Sequence, residues 1–145
     1  MKRISEFRQL SIDHHHGLVL ARRARKAETG TKGISASRVW EEVEKKFQYD
    51  LEPHFKIEEK YLVPPLQAIG EIDLINRLQN DHKKLRRIIN DKSVRTFAAL
   101  KQFGEILERH IRFEERELFE TAQKRLSSHD LELLEQACLK HSEPK

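Results

Sequence analysis

Apolar side chains recur at steps of three and four residues along most of the chain, which is the pattern of amphipathic α-helices. The spacing predicts four long helices over about 12–27, 35–62, 71–90 and 94–126, and a short helix over about 130–139. Ser11, then Ser35 or Ser37, and Ser93 are expected to cap the first, second and fourth helices. Pro53 should kink the second helix, because proline has no amide proton to donate to the preceding turn.

Four helices that each carry an apolar stripe must bury those stripes against one another. The pattern therefore predicts an all-α fold, an up-down-up-down four-helix bundle with a short fifth C-terminal helix. We expect residues 1–145 to form a single domain, with the bundle core over about 12–126 and the segment 28–33 as a loop. No internal repeat is evident.

The composition agrees with solvated helix faces around an apolar core. Hydrophobic residues make up 37% of the chain and charged residues 36%, with a formal net charge of +4. Two basic clusters lack the interleaved aromatic side chains and reader motifs of nucleic-acid-binding proteins, so we interpret them as solvated faces and expect no nucleic-acid partner. The clusters are Arg22, Arg23, Arg25 and Lys26, and Lys83, Lys84, Arg86 and Arg87.

The single cysteine, Cys138, excludes an intramolecular disulfide and fits a reducing compartment. No apolar segment resembles a signal sequence or approaches the length of a membrane span. We therefore expect a cytoplasmic protein with no membrane association.

The most informative feature is the position of the histidines. Each predicted long helix has one His on or beside its inward stripe, and in two helices a Glu follows four residues later, Glu58 in one and Glu114 in the other. An offset of four residues in an α-helix is about 6 Å along the axis and about 40° around it, so each pair leans toward one point in the core. The four histidines are His14, His54, His82 and His110.

Six ionisable side chains in a core are costly unless they are paired or bind a metal. Nitrogen and carboxylate ligands without thiolate favour two divalent first-row metal ions over a structural zinc site. The carboxylates of Glu58 and Glu114 can each bridge two ions held roughly 3.5–4 Å apart, with two histidines for each ion. The competing interpretation is four core histidines satisfied by neighbouring salt bridges.

The first helix has three consecutive histidines, His14 to His16, and at most one of them should be a ligand. His14 shares a helix face with Leu18, whereas His15 shares one with Arg22, which belongs in solvent. We therefore favour His14 as the ligand and keep His15 as the alternative.

The spacing resembles that of the hemerythrin-like family, in which a His, a His-x-x-x-Glu, a His and a second His-x-x-x-Glu follow in order. The resemblance extends over about 10–125 and implies a bundle with a non-haem di-iron site that reacts with dioxygen or related small oxidants. Manganese or zinc would also suit the ligand set. The matching segments are Asp13-His14-His15-His16-Gly17-Leu18, His54-Phe55-Lys56-Ile57-Glu58-Glu59, Asp81-His82-Lys83-Lys84-Leu85 and His110-Ile111-Arg112-Phe113-Glu114-Glu115.

Four further carboxylates stand next to the proposed ligands. Glu59 and Glu115 point about 100° away from their neighbours, so we expect them to be solvated. Either could instead replace its neighbour as the ligand, and Glu115 is the stronger rival, since carrier hemerythrins place this carboxylate five residues after the His. Asp13 and Asp81 can accept a hydrogen bond from an imidazole of another helix, cap a helix or face solvent.

The sequence departs from the oxygen-carrying hemerythrins at one ligand. Those proteins have a fifth His one turn from the His of the third helix, where this chain has Leu78 and Arg86. It resembles the four-His, two-Glu bacterial members, including those linked to nitric oxide response and repair of iron centres. The departure argues against reversible oxygen carriage and favours redox turnover, sensing of dioxygen, nitric oxide or peroxide, or iron handling. An enzyme, a regulatory interaction module and homodimerisation stay open.

Overall fold

A computed structural model describes residues 5–27 and 35–142. The predicted loop over 28–33 lies outside the described residues. A 3₁₀ turn, Ser5–Phe7, comes first, and two π-helical turns, Phe47–Leu51 and Glu114–Leu118, interrupt longer helices. The helices are α1 (Arg8–Lys26), α2 (Ala36–Lys46), α3 (Glu52–Tyr61), α4 (Val63–Ala68), α5 (Ile72–Asn90), α6 (Phe97–Phe113), α7 (Phe119–Arg125) and α8 (Ser128–Ser142).

The predicted all-α bundle is confirmed. Its four long elements are α1, α2 continued by α3, α5, and α6 continued by α7. The C-terminal helix α8 packs against α1 and α3. No helix within the described residues is long and apolar enough to cross a membrane.

Two of the predicted helix starts are wrong. Helix α1 begins before Ser11, because Phe7 and Leu10 are both fully buried and their packing favours another turn. Helix α6 begins after Thr96, whose side chain accepts a hydrogen bond from the amide of Ala99, whereas Ser93 lies in the preceding turn. The cap at Ser35 is confirmed by a 3.2 Å hydrogen bond from the Arg38 amide.

A π-helical turn lies just before Pro53, where the sequence predicts a kink. The amide of Glu52 donates to the carbonyl of Phe47, five residues back, at the end of the π-helical turn Phe47–Leu51. The wider turn accommodates the proline ring and its missing donor, and the chain then continues as α3 with Pro53 in its first turn.

Two apolar clusters make the core, and they lie on either side of a polar layer. One is built around Trp40, Phe47 and Phe103, and the other around Phe7 and Leu118. In α1 and α5 the inward histidine, His14 or His82, falls between the residues of one cluster and those of the other. In α3 and α6 one further residue of the first cluster follows the histidine before the second cluster begins. The packing on both sides therefore holds the polar layer at one depth in the bundle.

Close packing of α1 against α6 depends on Gly104. A Cβ atom at this position would lie 2.5 Å from the carbonyl oxygen of Ala21 and 2.9 Å from the amide nitrogen of Arg25. Both are backbone atoms that cannot turn aside, so only glycine allows the two helices to approach this closely.

Candidate metal centre

Six buried side chains meet in the polar layer, and they are the six that the sequence predicts. Each is at most 2% exposed. Their ligand atoms form two groups of four, and within each group all atoms lie within 4.8 Å of one another. One group is His14, His54, Glu58 and Glu114, and the other is His82, His110, Glu58 and Glu114.

The Nε2 atom of every histidine faces a central carboxylate. His14 Nε2 lies 2.9 Å and His110 Nε2 3.2 Å from Oε1 of Glu114. On the other carboxylate, His54 Nε2 lies 3.3 Å from Oε2 and His82 Nε2 3.2 Å from Oε1 of Glu58. Each of the two oxygens of Glu58 therefore faces one of the two groups of ligand atoms.

The Nδ1 atom of every histidine faces a second, outer carboxylate. His54 Nδ1 is 3.1 Å from Asp13, and His110 Nδ1 is 3.0 Å from Asp81. Of the three roles expected for Asp13 and Asp81, the structure therefore shows the hydrogen bond to an imidazole of another helix. A carboxylate at Nδ1 holds the proton there and leaves the Nε2 lone pair directed inward.

The expectation that Glu59 and Glu115 are solvated is wrong. Glu59 lies 2.7 Å from Nδ1 of His82, and Glu115 lies 3.1 Å from Nδ1 of His14. The rings of His82 and His14 thus each fit between two successive glutamates of another element, because residues about 100° apart on a helix can reach opposite nitrogens of one ring. The central position belongs to Glu114, while Glu115 contacts the outer nitrogen.

These contacts repeat in two halves. An Asp-His pair followed by a His-x-x-x-Glu-Glu segment occurs twice, and the two copies give equivalent hydrogen bonds. The different spacing between the segments in the two copies conceals this repeat in the sequence. The repeated second Glu was the signal by which Glu59 and Glu115 could have been found.

The choice between neighbouring histidines follows from burial. His14 is 2% exposed, and its ring stacks on Phe119 with 5.1 Å between centroids. His15 lies on the exposed face of α1 beside His16. The structure therefore places His14, and not His15, in the cluster.

The donor atoms fit a cation. Several buried atoms in the cluster have no hydrogen-bond partner among the described residues, which is costly unless something else satisfies them. Imidazole nitrogens and carboxylate oxygens turned toward one point are what a divalent first-row metal ion satisfies. The unpartnered atoms are His54 Nε2, His82 Nε2, His110 Nε2, Glu58 Oε1, Glu58 Oε2 and Glu114 Oε2.

The electrostatics of the metal-free cluster are strongly coupled. Burial and the neighbouring carboxylate of Glu114 raise the pKa of Glu58 to about 8. Burial opposes ionisation of Glu114 as well, but the charge of His110 holds the pKa of Glu114 well below its ordinary value. Burial would lower the pKa of His110, yet Glu114 and Asp81 together raise it to about 10. Metal binding must displace such protons, so it is coupled to pH.

Neither residue at the position of the missing fifth histidine belongs to the cluster. Leu78 is fully buried in an apolar cluster. Arg86 is half-buried and pairs with Glu52 and Glu59, so its interpretation as part of a solvated basic face is wrong. No local pattern predicts this role of Arg86, because it depends on acidic residues of another helix.

Comparison with known families agrees with this geometry. The family model of the hemerythrin HHE cation binding domain matches residues 7–122. The chain belongs to this family. The match begins at Phe7, one residue before α1, and ends inside α7, so it includes all six side chains of the cluster. No curated protein and no solved structure gives a significant match.

Membership in the hemerythrin family explains the buried layer. The family binds metal cations, and this chain supplies a His/Glu cluster that fits such binding. Two groups of ligands that share Glu58 and Glu114 are brought together from α1, α3, α5, α6 and the π-helical turn Glu114–Leu118. The hemerythrin bundle therefore serves here as a rigid frame for a cation site.

Proposed function

We propose that this hemerythrin-family chain binds a carboxylate-bridged pair of iron ions and uses it to bind or sense a small oxidant or to handle iron. His14 and His54 serve one ion, His82 and His110 serve the other, and Glu58 and Glu114 are shared. The observation that carries the proposal is the pair of four-residue ligand groups with two glutamates in common.

The ligand chemistry supports iron, with manganese or zinc as alternatives. Four imidazoles and two carboxylates without thiolate suit a first-row metal that changes oxidation state. A pair of ferrous ions, once bound, supplies electrons to dioxygen, nitric oxide or peroxide. The outer carboxylates keep each imidazole in one orientation and tautomer, and the buried glutamates hold the two ligand groups together.

The surroundings of the cluster favour a small ligand over an organic substrate. Surface cavities reach the outer residues Asp81 and Glu59, but no central side chain lines them. Another cavity of about 180 Å³ is lined by Gly17 and Leu51, each three residues from a cluster histidine. Six protein side chains also leave coordination positions of two ions to an external ligand.

Iron stoichiometry tests the proposal. We expect anaerobically loaded wild-type protein to retain two iron ions per chain after gel filtration, and Glu58→Gln to retain fewer because its amide is a poor bridging ligand. Glu41→Gln, at an exposed position on α2, is the control and should retain two. Wild-type protein that retains one ion or none would contradict the di-iron proposal.

The choice of small ligand needs a separate measurement. Reduced, iron-loaded protein should change its absorption spectrum on addition of dioxygen, nitric oxide or peroxide, and Glu58→Gln should not. Steady-state consumption of peroxide with an added reductant would assign an enzyme, whereas a stoichiometric spectral change would assign a binder or sensor. A spectrum that is unchanged by all three oxidants would leave iron handling as the function.

A further inference from the structure

Arg86 connects two acidic residues of α3 to a histidine of the cluster. Its guanidinium donates to Glu52 at 2.7 and 3.0 Å and to Glu59 at 2.6 and 3.1 Å. Glu59 in turn lies 2.7 Å from Nδ1 of His82. Because these bonds join rigid planar groups, the carboxylate of Glu59 has one orientation toward the imidazole.

The aromatic contacts reinforce this arrangement. The guanidinium carbon of Arg86 lies 5.6 Å from the ring centroid of Phe55. Phe55 stacks on His82 with 3.8 Å between ring centroids and an angle of 12°. Arg86 thus borders both groups that fix the His82 ring, the carboxylate at Nδ1 and the aromatic ring on its face.

The cation also withdraws electron density from Glu59. A carboxylate that already accepts two bonds from a guanidinium is a weaker acceptor for the Nδ1 proton of His82. An imidazole with a weaker acceptor at Nδ1 is a weaker electron donor through Nε2. Both this effect and the positive charge of Arg86 itself favour the ferrous over the ferric state of an ion bound by His82.

We propose that Arg86 is a positioning residue that fixes Glu59 against His82 and raises the reduction potential of the iron ion on the His82 side. The inference rests on the proposed di-iron function. The step concerned is the transfer of one electron from an external reductant to one ferric ion, which becomes ferrous, while no covalent bond of the protein forms or breaks.

The structure supplies a matched set of variants for the test. Arg86→Leu removes the cation and its bonds, and Arg86→Lys keeps the charge but loses the planar fork. Arg112→Leu is the control. It removes an equal positive charge at a different arginine, which pairs with Glu108 and whose side chain is 49% exposed. All three are loaded with iron, counted for bound metal and titrated with dithionite, and their Mössbauer spectra are recorded.

We expect Arg86→Leu to retain two ions and to shift one reductive step to lower potential. The equilibrium constant of that step should fall at least about tenfold, or 59 mV for one electron. One of the two iron environments should change in the Mössbauer spectrum. Arg86→Lys should give an intermediate potential, and Arg112→Leu should match the wild type.

Two results would overturn the inference while leaving the di-iron proposal intact. One is two bound ions with unchanged potentials in Arg86→Leu. The other is loss of the same ion from Arg86→Leu and Arg86→Lys alike. That result would mean that Arg86 only maintains the local structure around His82. A wild-type protein that binds fewer than two ions would instead contradict the proposed function itself.

Discussion

The carboxylate of Asp13, in α1, lies 3.1 Å from Nδ1 of His54, in α3, although 41 residues separate them in the chain. Gln9, one turn earlier on α1, holds the other oxygen of Asp13 with a 3.0 Å hydrogen bond from its amide. The orientation of a cluster histidine is therefore set by a different helix from the one that carries it. Asp81 serves His110 from α5 in the same way, at 3.0 Å.

The contact between Asp13 and His54 predicts a loss of metal affinity in Asp13→Asn. The neutral amide fills the same space but polarises the imidazole less, and changes to such outer partners cost about 10–100-fold in metal affinity. The affinity for ferrous iron can be measured anaerobically by competition with a chromophoric chelator. Asp73→Asn, at an exposed position on α5, is the control and should bind like the wild type. An Asp13→Asn protein of wild-type affinity would contradict this role.

The burial of Glu58 predicts that Glu58→Gln changes the stability of the metal-loaded protein much more than that of the metal-free protein. Because its pKa is raised to about 8, Glu58 is protonated at neutral pH in the metal-free protein. The free energy of unfolding of metal-free Glu58→Gln should therefore lie within about 1 kcal/mol of that of the wild type. Iron at 1,000 times its dissociation constant should stabilise the wild type by about 4 kcal/mol and the variant by less. Urea unfolding with and without ferrous iron measures both quantities. Equal stabilisation by iron would show that Glu58 is not a ligand.

The two buried helix glycines predict different costs of adding a methyl group. Gly104→Ala places Cβ 2.5 Å from a backbone oxygen, so α1 and α6 must separate and the free energy of unfolding should fall by about 1–3 kcal/mol. Gly17→Ala places Cβ 2.8 Å from Cδ1 of Ile111, the end of a flexible side chain. Its free energy of unfolding should stay within about 1 kcal/mol of the wild type, since alanine also favours the helix. Urea unfolding of both variants makes the comparison, and equal losses would contradict it.

The thiol of Cys138 predicts slow alkylation in the folded protein. Burial and nearby carboxylates raise its pKa to about 12, compared with about 8.5 for an ordinary cysteine. At pH 8 the folded thiol should react with iodoacetamide roughly a thousand times more slowly than the urea-unfolded thiol, because only the thiolate reacts. Comparable rates in the two states would contradict the burial of Cys138.

The same pKa shift sets the sign of a pH effect on stability. Between about pH 8.5 and 12 the unfolded thiol is ionised while the folded thiol is not, so folding loses stability as pH rises through this range. Cys138→Ala removes this contribution. The free energy of unfolding of the wild type should therefore decline more steeply between pH 8 and 10 than that of the variant.

The fold class and the six central residues could be predicted from the amino-acid sequence alone. Apolar steps of three and four predict helices, and an inward histidine on each long helix predicts that these rings meet. Both inferences use only the geometry of one helix at a time, which local spacing fixes. The same reasoning placed Glu58 and Glu114 beside their histidines, because an offset of four residues keeps two side chains on one face.

The partners of the outer imidazole nitrogens and the role of Arg86 could not be predicted in this way. Each of those contacts joins two helices, so it depends on their relative rotation and depth, which a pattern along one helix does not contain. Glu59 and Glu115 look like solvated residues within their own helices and contact His82 and His14 only after packing. The start of α1 also depends on packing, since the burial of Phe7 favours a helix that begins before the local capping signal at Ser11. Local spacing specifies which face of a helix turns inward, whereas packing between helices specifies what that face meets.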